Sequence, residues 1–252
     1  MNARVIVFGI DGVRLDTLRA ASTPHIDAIA AAGSLAPVRI REVNPTISGP
    51  CWATIATGVH ADAHAILGND LSGHALDDHP CFLRRATDAG LRSYGAAAWP
   101  PLLTPDSGGP IFRPAIAFAP AVRDGQPAGG DPVTDAQVAD HAVETLSALD
   151  PHVSFVYFGH PDEVAHHIGT GAEYTQAIEH SDMLLGRVVA AARARAEVDW
   201  TFLVVTDHGH VDGGGHGGDS DVERTAWIAA NRALPADVEH ASIPALVASA
   251  LT

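Results

Sequence analysis

Residues 201–209 read Thr201-Phe-Leu-Val-Val-Thr206-Asp207-His208-Gly209, an apolar run that stops abruptly at an acid and an imidazole. A run this apolar, without polar alternation, fits a strand buried on both faces, as the central strands of a parallel sheet are. The N-terminus has the same design: Val5-Ile-Val-Phe-Gly-Ile10 runs into Asp11-Gly12. A third copy, Val153 to Phe158, runs into Gly159-His-Pro-Asp162. Ligands of open parallel sheets bind just outside the carboxyl ends of the strands. Asp11, the segment from Gly159 onward and Asp207-His208 are therefore expected on one side of the molecule.

Helix signals fill the spaces between strands. Thr23-Pro24 before His25 to Ala32 and Gly33 predicts a helix with Thr23 as N-cap and Gly33 just past its end. Pro50 to Thr57, closed by Gly58, predicts a second, whose N-terminus lies just after Ser48. Further helices are expected over Pro80 to Ala89, Tyr174 to Arg195 and Ser242 to Leu251. Thr134-Asp-Ala-Gln137 has the form of a capping box and opens a helix to about Leu149. Residues 36–43, Arg92 to Ala98 and Ala226 to Ala229 read as strands. Residues 99–133 are rich in Pro, Gly and Asp and read as a long loop or lid. Strands alternate with helices throughout. The expected fold is α/β, a mostly parallel central sheet with helices on both faces, formed by a single domain over residues 1–252.

Composition bounds the function. The chain carries 30 acids against 15 bases, a formal net charge of −15, and every base is arginine. That balance excludes the basic surfaces that nucleic acids and anionic membranes need. Cys51 and Cys81 are too few for a disulfide framework, and no apolar stretch is long enough to be a signal segment or a membrane span. A cytoplasmic protein is expected. The 15 histidines match the arginines in number, and seven lie between His160 and His216. Imidazoles and carboxylates are ligands of borderline divalent cations.

Their positions sharpen this. Asp162 and His166 are four residues apart, which places both on one face of a helix. His216 lies in Gly213-Gly-Gly-His216-Gly-Gly218, where the glycines let the backbone bring an imidazole close to another group. With Asp11, Asp207 and His208 these segments converge if the sheet is parallel. His167, His210 and Asp212 are near enough to be rival ligands.

The ordered set Ile10-Asp11-Gly12, Pro45-Thr46-Ile-Ser48-Gly49-Pro50, Asp162…His166…Gly169, Thr206-Asp207-His208-Gly209 and Gly215-His216-Gly217 resembles the alkaline phosphatase superfamily. Within it, the pattern is most similar to the type I phosphodiesterase/nucleotide pyrophosphatase family. Thr23-Pro24-His25-Ile26-Asp27 resembles the family's Thr-Pro-Asn-hydrophobic-Asp helix start, and Ile243-Pro244-Ala-Leu its closing segment. The resemblance implies an alkaline phosphatase-like core with a minimal cap. It also implies two divalent metals, zinc first and manganese or iron also admitted. Asp11, Ser48, Asp207 and His208 would hold one; Asp162, His166 and His216 would hold the other. His210, His167 and Asp212 fall off the motif and rank lower.

The family places proline two residues after its nucleophile and asparagine 21 residues after it. Ser48 has Pro50 and Asn69 at those steps, whereas Thr46 has Ser48 and Leu67. Ser48 is therefore the expected nucleophile and Asn69 the hydrogen-bond donor to a phosphoryl oxygen. A metal-bound serine oxygen at a helix N-terminus can attack phosphorus and form a phosphoserine, which an activated water then cleaves. Arg14 is a further expected phosphate contact.

The expected activity is hydrolysis of a phosphodiester or related phosphate ester of small size. A phosphate monoesterase or phosphonate hydrolase similar to phosphonoacetate hydrolases is the nearest alternative. A phosphomutase or phosphoryl transferase, and a non-catalytic metal-binding module, are the alternatives of other classes. Gly49 stands where nucleotide-cleaving relatives carry an aromatic that stacks on the base, so Trp52, Trp99 and Tyr157 are the only substitutes in sight. Trp52 occupies the position where a sulfatase needs arginine, which argues against a sulfatase.

Overall fold

The computed structural model describes residues 2–121 and 129–252. Seven strands form one sheet: β1 (Ala3–Ile10), β2 (Ser34–Arg39), β3 (Ser93–Ala97), β4 (Ile116–Phe118), β5 (Val153–Phe158), β6 (Asp199–Val205) and β7 (Thr225–Ala230). Their order is β2-β7-β6-β1-β5-β3-β4. β1 pairs parallel with β5 and β6, and β3 pairs parallel with β5 and β4. Only β7 runs against its neighbours, pairing antiparallel with β6 and β2. The sheet is therefore mostly parallel, with helices packed around it, as the buried apolar strands require.

β1 lies between β6 and β5, with Gly9 opposite both Val205 and Tyr157. This register brings the ends of all three strands level. Val5 to Phe8, Val153, Phe155 to Phe158 and Phe202 to Val205 are buried almost completely, so the middle of the sheet is the core. Asp11, Asp207 and the helix His160–Ile168 follow directly at the carboxyl ends. Among the described residues no helix is long and apolar enough to cross a membrane.

Several local expectations shift. The helix at Pro24–Ala31 has no cap from the Thr23 side chain. Its free N–H groups at His25 and Ile26 donate instead to Asp182, at 3.2 and 2.8 Å, from the helix Ala172–Arg193. The capping box of the helix Pro132–Ala148 is Asp131 with Thr134, three residues before the expected one. The reason is that Asp131 accepts from the N–H groups of both Val133 and Thr134. β2 ends at Arg39, earlier than 36–43 implies, because its partner β7 begins at Thr225, the residue opposite it.

The 99–133 segment is only partly a loop. Pro100 to Leu103, Ile111 and Phe112 are buried, and β4 adds an edge strand to β3. Buried apolar side chains at these positions anchor the segment to the core despite its Pro/Gly content. Residues 122–128, the rest of that expected lid apart from its two ends, lie outside the described residues.

Candidate metal centre and active site

The carboxyl ends of β6, β1 and β5 deliver their acids to one cluster. Asp11 and Asp207 are buried, and each splits its two oxygens between different tasks. Asp11 Oδ2 accepts hydrogen bonds from Trp52 Nε1 at 2.9 Å and Tyr157 Oη at 2.6 Å. Asp207 Oδ1 accepts from the Gly12 N–H at 3.0 Å. Asp11 Oδ1 and Asp207 Oδ2 have no hydrogen-bond partner at all. Buried oxygens without donors are costly unless something else compensates them. His208 Nε2 lies 3.5 Å from Asp11 Oδ1 and 3.3 Å from Asp207 Oδ2. Its Nδ1 donates to the Gly209 carbonyl at 3.2 Å, which leaves the Nε2 lone pair facing the acids.

Ser48 completes this group. It opens the helix Ser48–Thr57, and its Oγ is 3.2 Å from His208 Nε2. The indole of Trp52, one turn further along that helix, reaches Asp11 by lying across β1. Gly9 makes the crossing possible, since a Cβ there would be 2.5 Å from Trp52 Cη2.

A second group lies beside the first. On the helix His160–Ile168, Asp162 Oδ2 and His166 Nε2 are 3.4 Å apart, the four-residue spacing at work. His216 Nε2 is 3.0 Å from His166 Nε2 and 3.8 Å from Asp162 Oδ1. The His216 ring stacks on His208 with centroids 3.8 Å apart, so the two groups touch. His216 Nδ1 donates to the Thr46 carbonyl at 2.7 Å, again leaving Nε2 for the centre. The Thr46 hydroxyl donates to the Gly218 carbonyl at 2.8 Å and accepts from Gly217 N–H at 3.1 Å. Thr46 thus fastens the glycine-rich loop to the loop that carries Ser48, and its hydroxyl is engaged away from the centre.

Electrostatics agree with the geometry. Burial, then the neighbouring Asp207 and Asp162, push the Asp11 carboxyl well above its usual range. Burial pushes Asp207 up to about 8. Asp162 is held low: burial raises it, but the hydrogen bond from His210 and the charges of the surrounding imidazoles outweigh that. Burial lowers His208 and His216, which disfavours the charged form of both rings. Unpartnered carboxylate oxygens facing neutral imidazole lone pairs are a donor set that fits divalent metal. Ligand atoms lie within 4.8 Å of one another in the sets Asp11, Asp207, His208 and Asp162, His166, His216.

A third set overlaps both: Asp162, His208 and His210. His210 is fully buried and donates from Nε2 to Asp162 Oδ1 at 2.8 Å. Its neighbours in the rival list fall outside. Asp212 pairs with Arg14 at 2.6 Å, and the exposed His167 faces Glu163 at 3.4 Å. Arg14 itself does not reach the centre. Asp16 and Asp212 take its guanidinium, each at 2.6 Å, and it is absent from the cavity wall.

That cavity, about 190 Å³, is lined by Asp11, Ser48, Asn69, Trp99, Glu163 and His166, among others. A larger one, about 480 Å³, lies at the opposite ends of β1 and β6 beside Asn2, Asp199 and Arg232, away from every ligand set. Asn69 Oδ1 accepts from the Gly49 N–H at 2.9 Å, which points the amide nitrogen into the smaller cavity. Trp52 and Tyr157 are buried against Asp11 and are not stacking surfaces. Their roles as Asp11 donors were hidden in sequence; the one signal was the four-residue step from Ser48 to Trp52. Asp135 was also missed. Its carboxylate accepts from Gly159 and His160 N–H at 3.1 and 3.0 Å, capping the helix that carries Asp162 and His166.

Known proteins share this arrangement of elements. Murine ectonucleotide pyrophosphatase/phosphodiesterase 5 is similar at TM-score 0.61 and 24% identity, covering 82% of this chain. The chain spans 57% of the length of that protein. Phosphonoacetate hydrolase from Sinorhizobium meliloti 1021 aligns over 100% of this chain and 96% of its own, at TM-score 0.73 and 14% identity. Phosphonate monoester hydrolase of Agrobacterium radiobacter aligns over 99% and 73%, at TM-score 0.69 and 17% identity. At these identities the likeness establishes the alkaline phosphatase-like fold. The family model for type I phosphodiesterase/nucleotide pyrophosphatase matches residues 5–233, nearly the whole chain. The chain therefore belongs to the type I phosphodiesterase/nucleotide pyrophosphatase family, whose members are metal-dependent hydrolases.

Proposed function

We propose that this protein is a two-metal phosphohydrolase that cleaves a phosphodiester or related phosphate ester through a phosphoserine on Ser48. The observation that carries the reading is the position of Ser48 Oγ. It lies at a helix N-terminus, 3.2 Å from His208 Nε2 and on the wall of the cavity shared with Asp11 and Asp162. Asp11, Ser48, Asp207 and His208 hold one ion, and Asp162, His166 and His216 hold the other. An all-nitrogen and oxygen donor set suits zinc and also takes manganese or iron. When bound, the ions activate the serine oxygen and a water and offset charge on the phosphoryl oxygens.

The residues divide the remaining work. Ser48 Oγ gives up its proton to solvent and bonds to phosphorus as the ester oxygen departs with its electron pair and takes a proton from solvent. Water then takes the phosphoryl group and returns the serine hydroxyl. The positive end of the dipole of the helix Ser48–Thr57 lies beside the developing negative charge. Asn69, held by Gly49, donates from Nδ2 to a non-bridging oxygen. Residues 1–252 act as one catalytic domain, with Trp99 and Gly129 bringing the two ends of the 99–133 segment to the mouth of the cavity. A cytoplasmic location accompanies this reading; the two cysteines, Cys51 and Cys81, are both free and buried.

The test is metal analysis followed by p-nitrophenyl monoester, diester, phosphonate and sulfate substrates in oxygen-18 water. Labelled phosphate or phosphate monoester released from a phosphorus ester is expected. Unlabelled product would point to a phosphotransferase, and activity on the sulfate alone would replace the reading with a sulfatase.

Two variants probe the supports. Asn69→Ala should lower kcat about 10²-fold with little change in bound metal, the usual effect of losing one charge-stabilising donor. Thr46→Val leaves the carbonyl for His216 but removes both hydroxyl bonds to the glycine loop. It should weaken one of the two metal equivalents by about tenfold in chelator competition, and Thr46→Ser should restore it.

A further inference from the structure

A phosphoryl group fills only part of a substrate, and the walls beyond Ser48 and Asn69 decide what else fits. The space beside the nucleophile is closed. A Cβ at Gly49 would lie 2.2 Å from the Gly68 carbonyl oxygen and 3.2 Å from Asn69 Oδ1. The Gly68-Asn69 turn thus occupies the place where a side chain would rise, and the Gly49 N–H bond to Asn69 fixes it there. Trp52 and Tyr157 are committed to Asp11. Among the described residues Trp99 alone offers the cavity an uncommitted ring. A nucleobase therefore has no pair of surfaces to enter. The cavity, about 190 Å³, is also below the roughly 300 Å³ at which pockets for larger organic ligands begin.

Charge narrows the choice further. Besides the metal-ligand acids, the wall carries Glu163, whose Oε1 is held by the Gly129 N–H at 2.8 Å. No arginine is among the described wall residues. Two dications would compensate one phosphoryl group, but a second anionic group would meet Glu163 with no arginine beside it among the described residues, the exposed His167 being its one ion-pair partner there.

Building on the hydrolase reading, we propose that the substrates are single-phosphate esters of small neutral or cationic alcohols. A nucleoside adds nothing to binding, and a second anionic group lowers it.

The probe is calorimetry on the metal-loaded Ser48→Ala protein with glycerol 3-phosphate, 3-phosphoglycerate and AMP. AMP should bind no tighter than glycerol 3-phosphate. The carboxylate of 3-phosphoglycerate should weaken binding at least tenfold, and adding Glu163→Gln should shrink that gap below threefold. AMP binding tenfold tighter than glycerol 3-phosphate, or a gap that Glu163→Gln leaves intact, overturns the proposal. Faster cleavage of p-nitrophenyl thymidine 5′-phosphate than of p-nitrophenyl ethyl phosphate by the unmodified protein also overturns it. If the unmodified protein cleaves no phosphate ester while Ser48→Ala shows the expected binding order, the hydrolase reading fails and the ligand class stands. Failure of every phosphate ligand to bind removes both.

Discussion

Ser48→Ala should lower kcat by about 10³-fold or more on any ester the protein cleaves, with the metal content unchanged. The loss is large because no second hydroxyl among the described residues is placed to attack. Thr46, the alternative two residues earlier, spends its hydroxyl on Gly217 and Gly218. Metal retention follows from the ligands that stay. Asp11 and Asp207 keep the donors that orient them, Trp52, Tyr157 and the Gly12 N–H, and His208 keeps its bond to Gly209. The measurement pairs steady-state kinetics with metal analysis of the same sample. Turnover within tenfold of the unmodified protein would eliminate Ser48 as the nucleophile.

Removing the metal should lower Tm by about 10 °C at neutral pH, taking ion binding far above its dissociation constant and the sensitivity of a domain this size. The cause is the loss of the cations that let the buried acids Asp11, Asp162 and Asp207 be ionised side by side; without them burial and mutual repulsion hold protons on Asp11 and Asp207. The pH dependence of the metal-free protein follows from the raised carboxyls. Asp207 titrates near 8 when folded against an ordinary value of 3.8. Between those limits the folded state holds more protons than the unfolded one, so stability falls as pH rises through the window. Asp11 is shifted the same way. Asp135, raised to about 7 by burial, adds a slope of the same sign over a narrower window, and metal does not remove it. Thermal melts from pH 5 to 8, with and without a chelator, should therefore diverge as pH increases. Parallel curves would mean that no ion is held by these acids.

The strands that matter most were legible because burial on both faces leaves a plain signature. Val5 to Ile10, Val153 to Phe158 and Thr201 to Val205 are apolar almost throughout, and all three are central. The edges were not. β4 has three residues inside a Pro/Gly-rich stretch, and nothing local distinguishes it from loop. The cap on Pro24–Ala31 comes from Asp182, more than 150 residues away, where no helix-start rule looks. In the site, acids at strand ends and a helical four-residue step can be seen in sequence, since each depends on neighbours along the chain. The bonds that orient them cannot. Trp52 and Tyr157 read only as core or lid aromatics, and nothing along the chain shows that Gly9 lets an indole cross β1 to Asp11. Arg14 read as a phosphate contact because Asp212, one of the two acids that occupy it, is brought to it only by folding.

Asp207 and Asp11 lie just past two adjacent parallel strands, β6 and β1, and Asp162 lies in the helix that follows β5, on the other side of β1. Neighbouring strands lie about 4.8 Å apart, a distance set by peptide hydrogen bonds rather than by side chains. The backbone ladder thus sets the spacing of Asp207 and Asp11, and the segments beyond the strands carry the other groups that are brought to them. Exchanging the 65–69 turn would therefore change the wall at Asn69 while leaving Asp11 and Asp207 where the sheet holds them.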